Sequence, residues 1–218
     1  MPFSFYSIAG PEILQGMKSL YLCRYRCYNK SMNQTERGTY TMKYQEKTIS
    51  SEYPFKGKIL NLRHDVVELP DGNTAKREIV EHSGGVCVLA LDENRNVLLV
   101  RQYRHAYNEE ILELPAGKVN PGEDHYECGK RELEEETGYI PGRYEYFGEI
   151  YPTPGYCSEK IRIYYADDLI PSEQHLDEGE FLDVIRMPFE EVLQLVLSGE
   201  IKDSKTVAAV LKYQVLNR

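Results

Sequence analysis

Glu132, Glu135 and Glu136 lie within five residues of one another, on a stretch that reads as helix from about Glu123 onward. Glu132 and Glu136 are one helical turn apart and share a face, with Glu135 one residue off their line. Like charges at that spacing repel, so an unassisted helix avoids the arrangement. A hard divalent cation removes the conflict, because Mg²⁺ takes carboxylate oxygens and substrate phosphates together. The chemistry that suits such a site is hydrolysis of a phosphoanhydride, which needs neutralised phosphate oxygens, a placed water and a base to deprotonate it. The competing reading of Glu132-Leu133-Glu134-Glu135-Glu136 is a solvated acidic face, which glutamate-rich helices commonly present.

The surrounding spacing decides between the two. Gly117 is followed after five residues by Glu123, after seven more by Arg131-Glu132-Leu133, and then by Glu135-Glu136 and Gly138. Asn120-Pro121-Gly122 breaks the chain before the helix, and Glu123 and Asp124 place negative charge where a helix N-terminus favours it. The pattern matches the Nudix box, Gly-x5-Glu-x7-Arg-Glu-U-x-Glu-Glu-x-Gly-U with U apolar, at every charged and glycine position, and only Tyr139 departs from the usual final apolar residue. On these residues the chain resembles the Nudix hydrolases. Three further features resemble the ADP-ribose pyrophosphatase branch: the run Glu113-Leu114-Pro115-Ala116-Gly117-Lys118, the loop from Tyr151 to Glu159, and Pro154 placed fifteen residues after Tyr139. That resemblance runs from about Met42 to the C-terminus and leaves out the first 41 residues.

The resemblance implies a Mg²⁺-dependent enzyme, with Mn²⁺ a substitute, that cleaves ADP-ribose to AMP and ribose 5-phosphate. Glu132 and Glu136 would bind the metal through their carboxylates and Ala116 through its backbone carbonyl. Glu135 has two open roles, as a further ligand or as the group orienting a metal-bound water. Arg131 would anchor the box carboxylates. Arg104 and Arg77 would meet substrate, together with Glu113 and Lys118. The base is assigned to Glu159 by resemblance and because its Pro/Gly-bounded loop can close over the metal; a surface glutamate paired with Lys160 is the plainer reading, and a box glutamate is the other candidate. The family's N-terminal sheet is exchanged between subunits, so a homodimer is implied, with Tyr53 and Phe55 either stacking on adenine or packing in core or interface. Two rival functions stand beside this one: hydrolysis of another nucleoside diphosphate sugar, and a non-catalytic module that binds ADP-ribose as a signal.

Composition sets the class. The chain has 218 residues, enough for one domain with a real core, and a net charge of -9. That charge argues against nucleic-acid or anionic-membrane partners, which call for clustered basic residues. Five scattered cysteines do not read as a disulfide framework, no apolar run approaches a membrane span, and the start lacks the features of a secretory signal, so the expected location is the cytoplasm.

The expected fold is α/β: a Nudix α/β/α sandwich with a mixed sheet, preceded by a small antiparallel N-terminal sheet. Residues 1–41 are read as a loosely ordered extension, 42–82 as the N-terminal sheet and 83–218 as the Nudix domain. In the N-terminal part, strands at 58–69 and 76–81 flank the turn Pro70-Asp71-Gly72-Asn73. The apolar run 86–91 suits a strand buried on both faces, joined through a polar hairpin loop to a strand at 97–103. Further strands follow at 110–114, 143–151, 161–167 and 182–186. Pro188 opens a helix that closes at Ser198-Gly199, and a last helix from Asp203 or Ser204 should present Val207, Val210, Leu211 and Val215 to the core.

Overall fold

The computed structural model describes residues 42–217, so the reading of 1–41 lies outside the described residues. From Glu46 onward the chain is one compact unit. It contains strands β1 (Lys47–Lys56), β2 (Leu60–Glu68), β3 (Thr74–His82), β4 (Gly85–Ala90), β5 (Asn96–Arg104), β6 (Glu109–Glu113), β7 (Ala116–Lys118), β8 (Tyr139–Ile150), β9 (Ile161–Pro171) and β10 (Leu182–Pro188). Its helices are α1 (His125–Thr137), α2 (Phe189–Ser198) and α3 (Ser204–Leu216). The strands make three sheets, β1-β2-β3, β10-β5-β6 and β7-β4-β9-β8, and the last is mixed because β4 runs parallel to β9.

Strand β4 organises the sandwich. All six of its residues are buried, and successive side chains go to opposite faces. Cys87 and Leu89 join Leu99, Phe189, Val192, Ala209 and Val210 in one core, which lies under α2 and α3. Val86, Val88 and Ala90 join Leu98, Cys128, Leu133 and Tyr164 in a second core, which lies under α1. One strand therefore seats helices on both sides, as a continuous apolar run requires.

Several local readings differ from what formed. Residues 91–97 do not close a hairpin within one sheet: Leu91 and Val97 share an isolated bridge, and β4 and β5 belong to different sheets. Asp92 Oδ1 accepts the N–H groups of Asn94 and Asn96, which turns the chain from one sheet to the other. The N-terminal sheet has a third strand, β1, exposed along its whole length, and a strand without a buried side has no alternation to betray it. Tyr53 and Phe55 lie on that strand, 42% and 54% exposed, and are not core residues of this chain. The short strand β7 was hidden in what reads as a loop.

In α3 the inward face is Thr206, Ala209, Val210 and Tyr213, while Leu211 and Val215 are 37% and 62% exposed. Tyr213 carries the inward face because its ring packs on Tyr165 and Phe189, a tertiary contact that apolar spacing alone does not encode.

The β1-β2-β3 sheet is tied to the sandwich through the end of β3. Val80 N–H donates to the Tyr156 carbonyl at 2.8 Å, Ser158 N–H donates to the Val80 carbonyl at 2.9 Å, and His82 N–H donates to Ser158 Oγ at 3.1 Å. Among the described residues no helix is long and apolar enough to cross a membrane.

Helix α1 comes so close to the sheet that a Cβ on Gly129 would lie 2.0 Å from the Tyr144 hydroxyl and 2.6 Å from Val86 Cγ1. Ala has better helix propensity by about 1 kcal/mol, but overpacking costs about 1–3 kcal/mol. Gly129→Ala is therefore expected to lower the urea midpoint; an unchanged or higher midpoint would contradict so close a seat.

Candidate active site

The site is built where α1 passes over β7. Helix α1 starts at Asp124, whose carboxylate accepts the Tyr126 N–H at 2.8 Å, and stops at Gly138, whose left-handed backbone (φ 73°) lets its N–H return to the Glu134 carbonyl. Glu123, read from sequence as helical, stays outside the helix and accepts the Asn120 N–H. Because Cys128, Gly129, Leu133 and Thr137 anchor α1 on its apolar side, Glu136 is turned inward with them. It is 2% exposed, and its Oε2 accepts the Ala116 N–H at 3.0 Å. Glu132, one turn earlier, lies against Gly117: a Cβ there would sit 1.8 Å from its carboxyl carbon and 2.0 and 2.1 Å from its two oxygens. Only glycine leaves room for that carboxylate.

Arg131 gathers the acids around it. Its Nε is 2.7 Å from Glu123 Oε1, and its two terminal nitrogens lie 2.6 Å from Glu135 Oε2 and 2.8 Å from Glu132 Oε1. This pairing, with the Asn120 N–H, holds the Glu123 carboxyl down to about 2, and the surrounding carboxylates raise the Arg131 pKa in turn. Glu135 is thereby drawn onto the arginine. Among the described residues no three His, Cys, Asp or Glu side chains are grouped to hold a metal ion by themselves.

The donors that remain still suit a hard cation. Burial pushes Glu132 up to about 7, aided by the charges of Glu135 and Glu180 and opposed by Arg131. Burial, with the charges of Glu180, Glu132 and Glu113, pushes Glu136 well above the usual carboxylate range against the Ala116 hydrogen bond. Two carboxylates pressed together away from water are relieved by a divalent ion. Mg²⁺ in particular takes one or two carboxylates, keeps several waters and completes its shell with substrate phosphates.

Sequence reasoning did not single out Glu180. It belongs to the loop between β9 and β10, which is fastened to the end of α1: Ser172 N–H donates to the Gly138 carbonyl, His175 N–H to the Glu135 carbonyl, and the Gln174 amide to the Glu136 carbonyl. The only local signal was a carboxylate beside Gly179, which does not tell where the loop goes.

The remaining candidates fall into two groups. Glu113, at the end of β6, is 2% exposed and accepts from Arg104 Nε at 2.7 Å, so these two sit together, and the charge of Glu136 reaches Arg104. Lys118, two residues beyond Ala116, extends to the carbonyls of Lys58 and Ile59 at 3.5 and 3.4 Å and lines a cavity of about 230 Å³ with Gly57, His82 and Ser83. Arg77 and Glu159 are engaged elsewhere. Arg77, on β3, pairs with Glu46 through Nε at 2.9 Å, and Glu159 Oε1 lies 3.3 Å from His82 Nδ1.

The raised carboxyls set a sign for pH dependence. In the metal-free protein Glu132 and Glu136 hold protons that their unfolded counterparts have released, so stability falls as pH rises from about 4.5 to about 7. Glu123 acts in the opposite sense, but only below its usual range. In chelator the melting temperature should fall across that window, and added Mg²⁺ should raise it more at the upper end. A melting temperature that climbs through the window in chelator contradicts the assignment.

Residues 81–210 match the NUDIX domain family, and residues 46–80 match the family described as the nucleoside diphosphate sugar hydrolase N-terminal domain. The chain is 43% identical over 174 residues to the "Methanol dehydrogenase activator" of Bacillus methanolicus, covering 79% of this chain and 94% of that one. It is 39% identical over 173 residues to the "ADP-ribose pyrophosphatase" of Bacillus subtilis (strain 168), covering 78% of this chain and 94% of that one. A solved structure described as "ADP compounds hydrolase" superposes with a TM-score of 0.69 at 23% identity over 78% of this chain and 92% of that one, which is a likeness of fold. With the box helix, its glycine-backed carboxylates and the family match over most of the sandwich in agreement, this chain belongs to the Nudix family.

Proposed function

We propose that the protein hydrolyses the diphosphate of ADP-ribose, with water, to AMP and ribose 5-phosphate. The observation that carries the reading is the pair Glu132 and Glu136, part-buried and buried, one turn apart over the backbone of Ala116 and Gly117. The substrate class is supported by the N-terminal family match and by the printed name of the Bacillus subtilis relative. The cation would be held by Glu132, Glu136 and the Ala116 carbonyl; Mg²⁺ is the proposed ion and Mn²⁺ its substitute. When bound, a divalent ion there neutralises phosphate charge and lowers the pKa of a water. Arg131 keeps Glu132 and Glu135 in place, Arg104 meets the diphosphate, and Lys118 and Glu113 border it.

Two loop carboxylates compete for the base. Glu180 acts electrostatically on both Glu132 and Glu136, whereas Glu159 lies beside His82, whose Nδ1 accepts the Gly84 N–H. The reach of its charge to both box glutamates favours Glu180. A general base contributes about 10²–10⁴-fold, so Glu180→Gln should lower kcat by at least about 10²-fold with little change in KM, and Glu159→Gln should lower it much less. The reverse ranking would return the role to Glu159.

The first test is turnover with Mg²⁺ on ADP-ribose, ADP-glucose and GDP-mannose, alongside Glu136→Gln. AMP formed fastest from ADP-ribose, and lost in the variant, is the expected result. A different preferred sugar would move the substrate within the nucleoside diphosphate sugars. Binding of ADP-ribose without turnover would favour a regulatory module, a reading to which the printed name of the Bacillus methanolicus relative lends support.

We also propose a homodimer through the N-terminal sheet, supported by Ile49, Tyr53, Phe55, Ile59 and Leu60, which stand exposed on β1, β2 and the turn between them. Light scattering should give twice the chain mass, and Ile49→Lys with Phe55→Lys should shift it toward the monomer; a monomeric parent protein would reject the interface.

A further inference from the structure

Lys205 is the second residue of α3, yet it is 6% exposed. A cation in the first turn of a helix opposes the helix dipole, so its position needs a local reason. The reason is a pair of carboxylates: its Nζ lies on Glu113 Oε2 and 3.0 Å from Asp203 Oδ1. Glu113 Oε1 accepts at the same time from Arg104 Nε at 2.7 Å. Two cations and two carboxylates thus form a neutral chain, Arg104–Glu113–Lys205–Asp203, running from the half-exposed end of β5 into the interior.

The backbone around this chain is fixed as well. Asp203 caps α3 by accepting from Thr206 N–H at 3.0 Å and Thr206 Oγ1 at 2.6 Å, and Thr206 Oγ1 accepts the Leu114 N–H at 2.9 Å. Helix α3 is therefore fastened to the segment that carries Glu113 and then Ala116 and Gly117.

What Lys205 does to Arg104 follows from how carboxylates and guanidinium groups pair. An isolated arginine and glutamate favour a two-pronged contact, one nitrogen on each oxygen. Here Lys205 lies on Oε2 and Arg104 holds Glu113 by Nε alone, and its two terminal nitrogens make no bond among the described residues. We propose that Lys205 is a positioning residue: by sharing Glu113 it keeps Arg104 in a one-point contact and leaves both terminal nitrogens for the diphosphate of the substrate. Without Lys205, Glu113 would draw Arg104 into the two-pronged pair and remove it from the ligand. The inference rests on the proposed contact between Arg104 and substrate phosphate.

The test is steady-state kinetics of the full chain with ADP-ribose and saturating Mg²⁺ for Arg104→Met, Lys205→Met, Lys205→Arg and the double variant Glu113→Gln/Lys205→Met, each with its melting temperature. Lys205→Met is expected to raise KM to about the extent of Arg104→Met, on the order of tenfold for one charge-assisted contact, with a smaller change in kcat. Lys205→Arg should keep KM near that of the parent. The double variant lacks the Glu113 carboxylate that would capture Arg104, so it should recover at least half of the KM loss, and it removes the buried charge of Glu113 left by Lys205→Met if that variant folds poorly. A merely structural lysine would instead move the melting temperature and leave KM alone. If Arg104→Met raises KM and Lys205→Met does not, or if the double variant is as impaired as Lys205→Met, the positioning role is overturned while the phosphate contact stands. If Arg104→Met leaves KM unchanged, the phosphate contact itself fails and takes the inference with it.

Discussion

The structure depends on two carboxylates held where water cannot reach them freely. Glu136 is turned into the protein with Leu133 and Thr137, and Glu132 is pressed onto the backbone of Gly117. Removing a carboxylate from water costs several kcal/mol unless it is paired or neutralised. The protein answers in part with one backbone N–H on Glu136 and one arginine on Glu132, and burial still holds both carboxyls above their ordinary range. The remaining imbalance is what a divalent ion and a polyphosphate can relieve together, so the feature that strains the fold is the one that suits it to a charged ligand.

Everything around the pair serves its placement. Strand β4 feeds alternate side chains into two cores, one of which seats α1 while the other seats α2 and α3. Strand β7 is only three residues long, but its pairing with β4 at Cys87 and Val86 brings Ala116 and Gly117 under α1. At the other end of α1, the loop after β9 bonds to the carbonyls of Glu135, Glu136 and Gly138, which brings Glu180 near the pair. The positions of helix, strand and loop are coupled, so a shift in any one changes the electrostatics of the other two.

Acidic groups outnumber basic ones in a chain of net charge -9, and the local basic ones are rationed by geometry. Arg131 is committed to Glu123, Glu132 and Glu135, and Arg77 to Glu46. Arg104 is different because Glu113 is shared with Lys205. The charge that a diphosphate can use is set by which carboxylates are already satisfied more than by how many arginines are nearby.

Much of this was legible in the sequence, because it is written in short-range rules. The box spacing places Glu132 and Glu136 one turn apart, the helix start is read to within a residue or two, the run 86–91 reads as a strand buried on both faces, and Pro188 and Gly199 bracket α2. What local pattern could not supply was partnership. It did not reveal β1, which has no buried side, or β7, which is three residues long and exists only by pairing with β4. It placed Val207 and Val210 of α3 inward correctly but did not reveal that Tyr213, against Phe189 and Tyr165, completes that face in place of Leu211 and Val215, or the meeting of Lys205 with Glu113 across ninety-two positions. Residue type and spacing determined the chemistry this chain can hold. Only the tertiary structure decided which charges face one another, because pairing energies depend on distances that close when the sheets and helices pack.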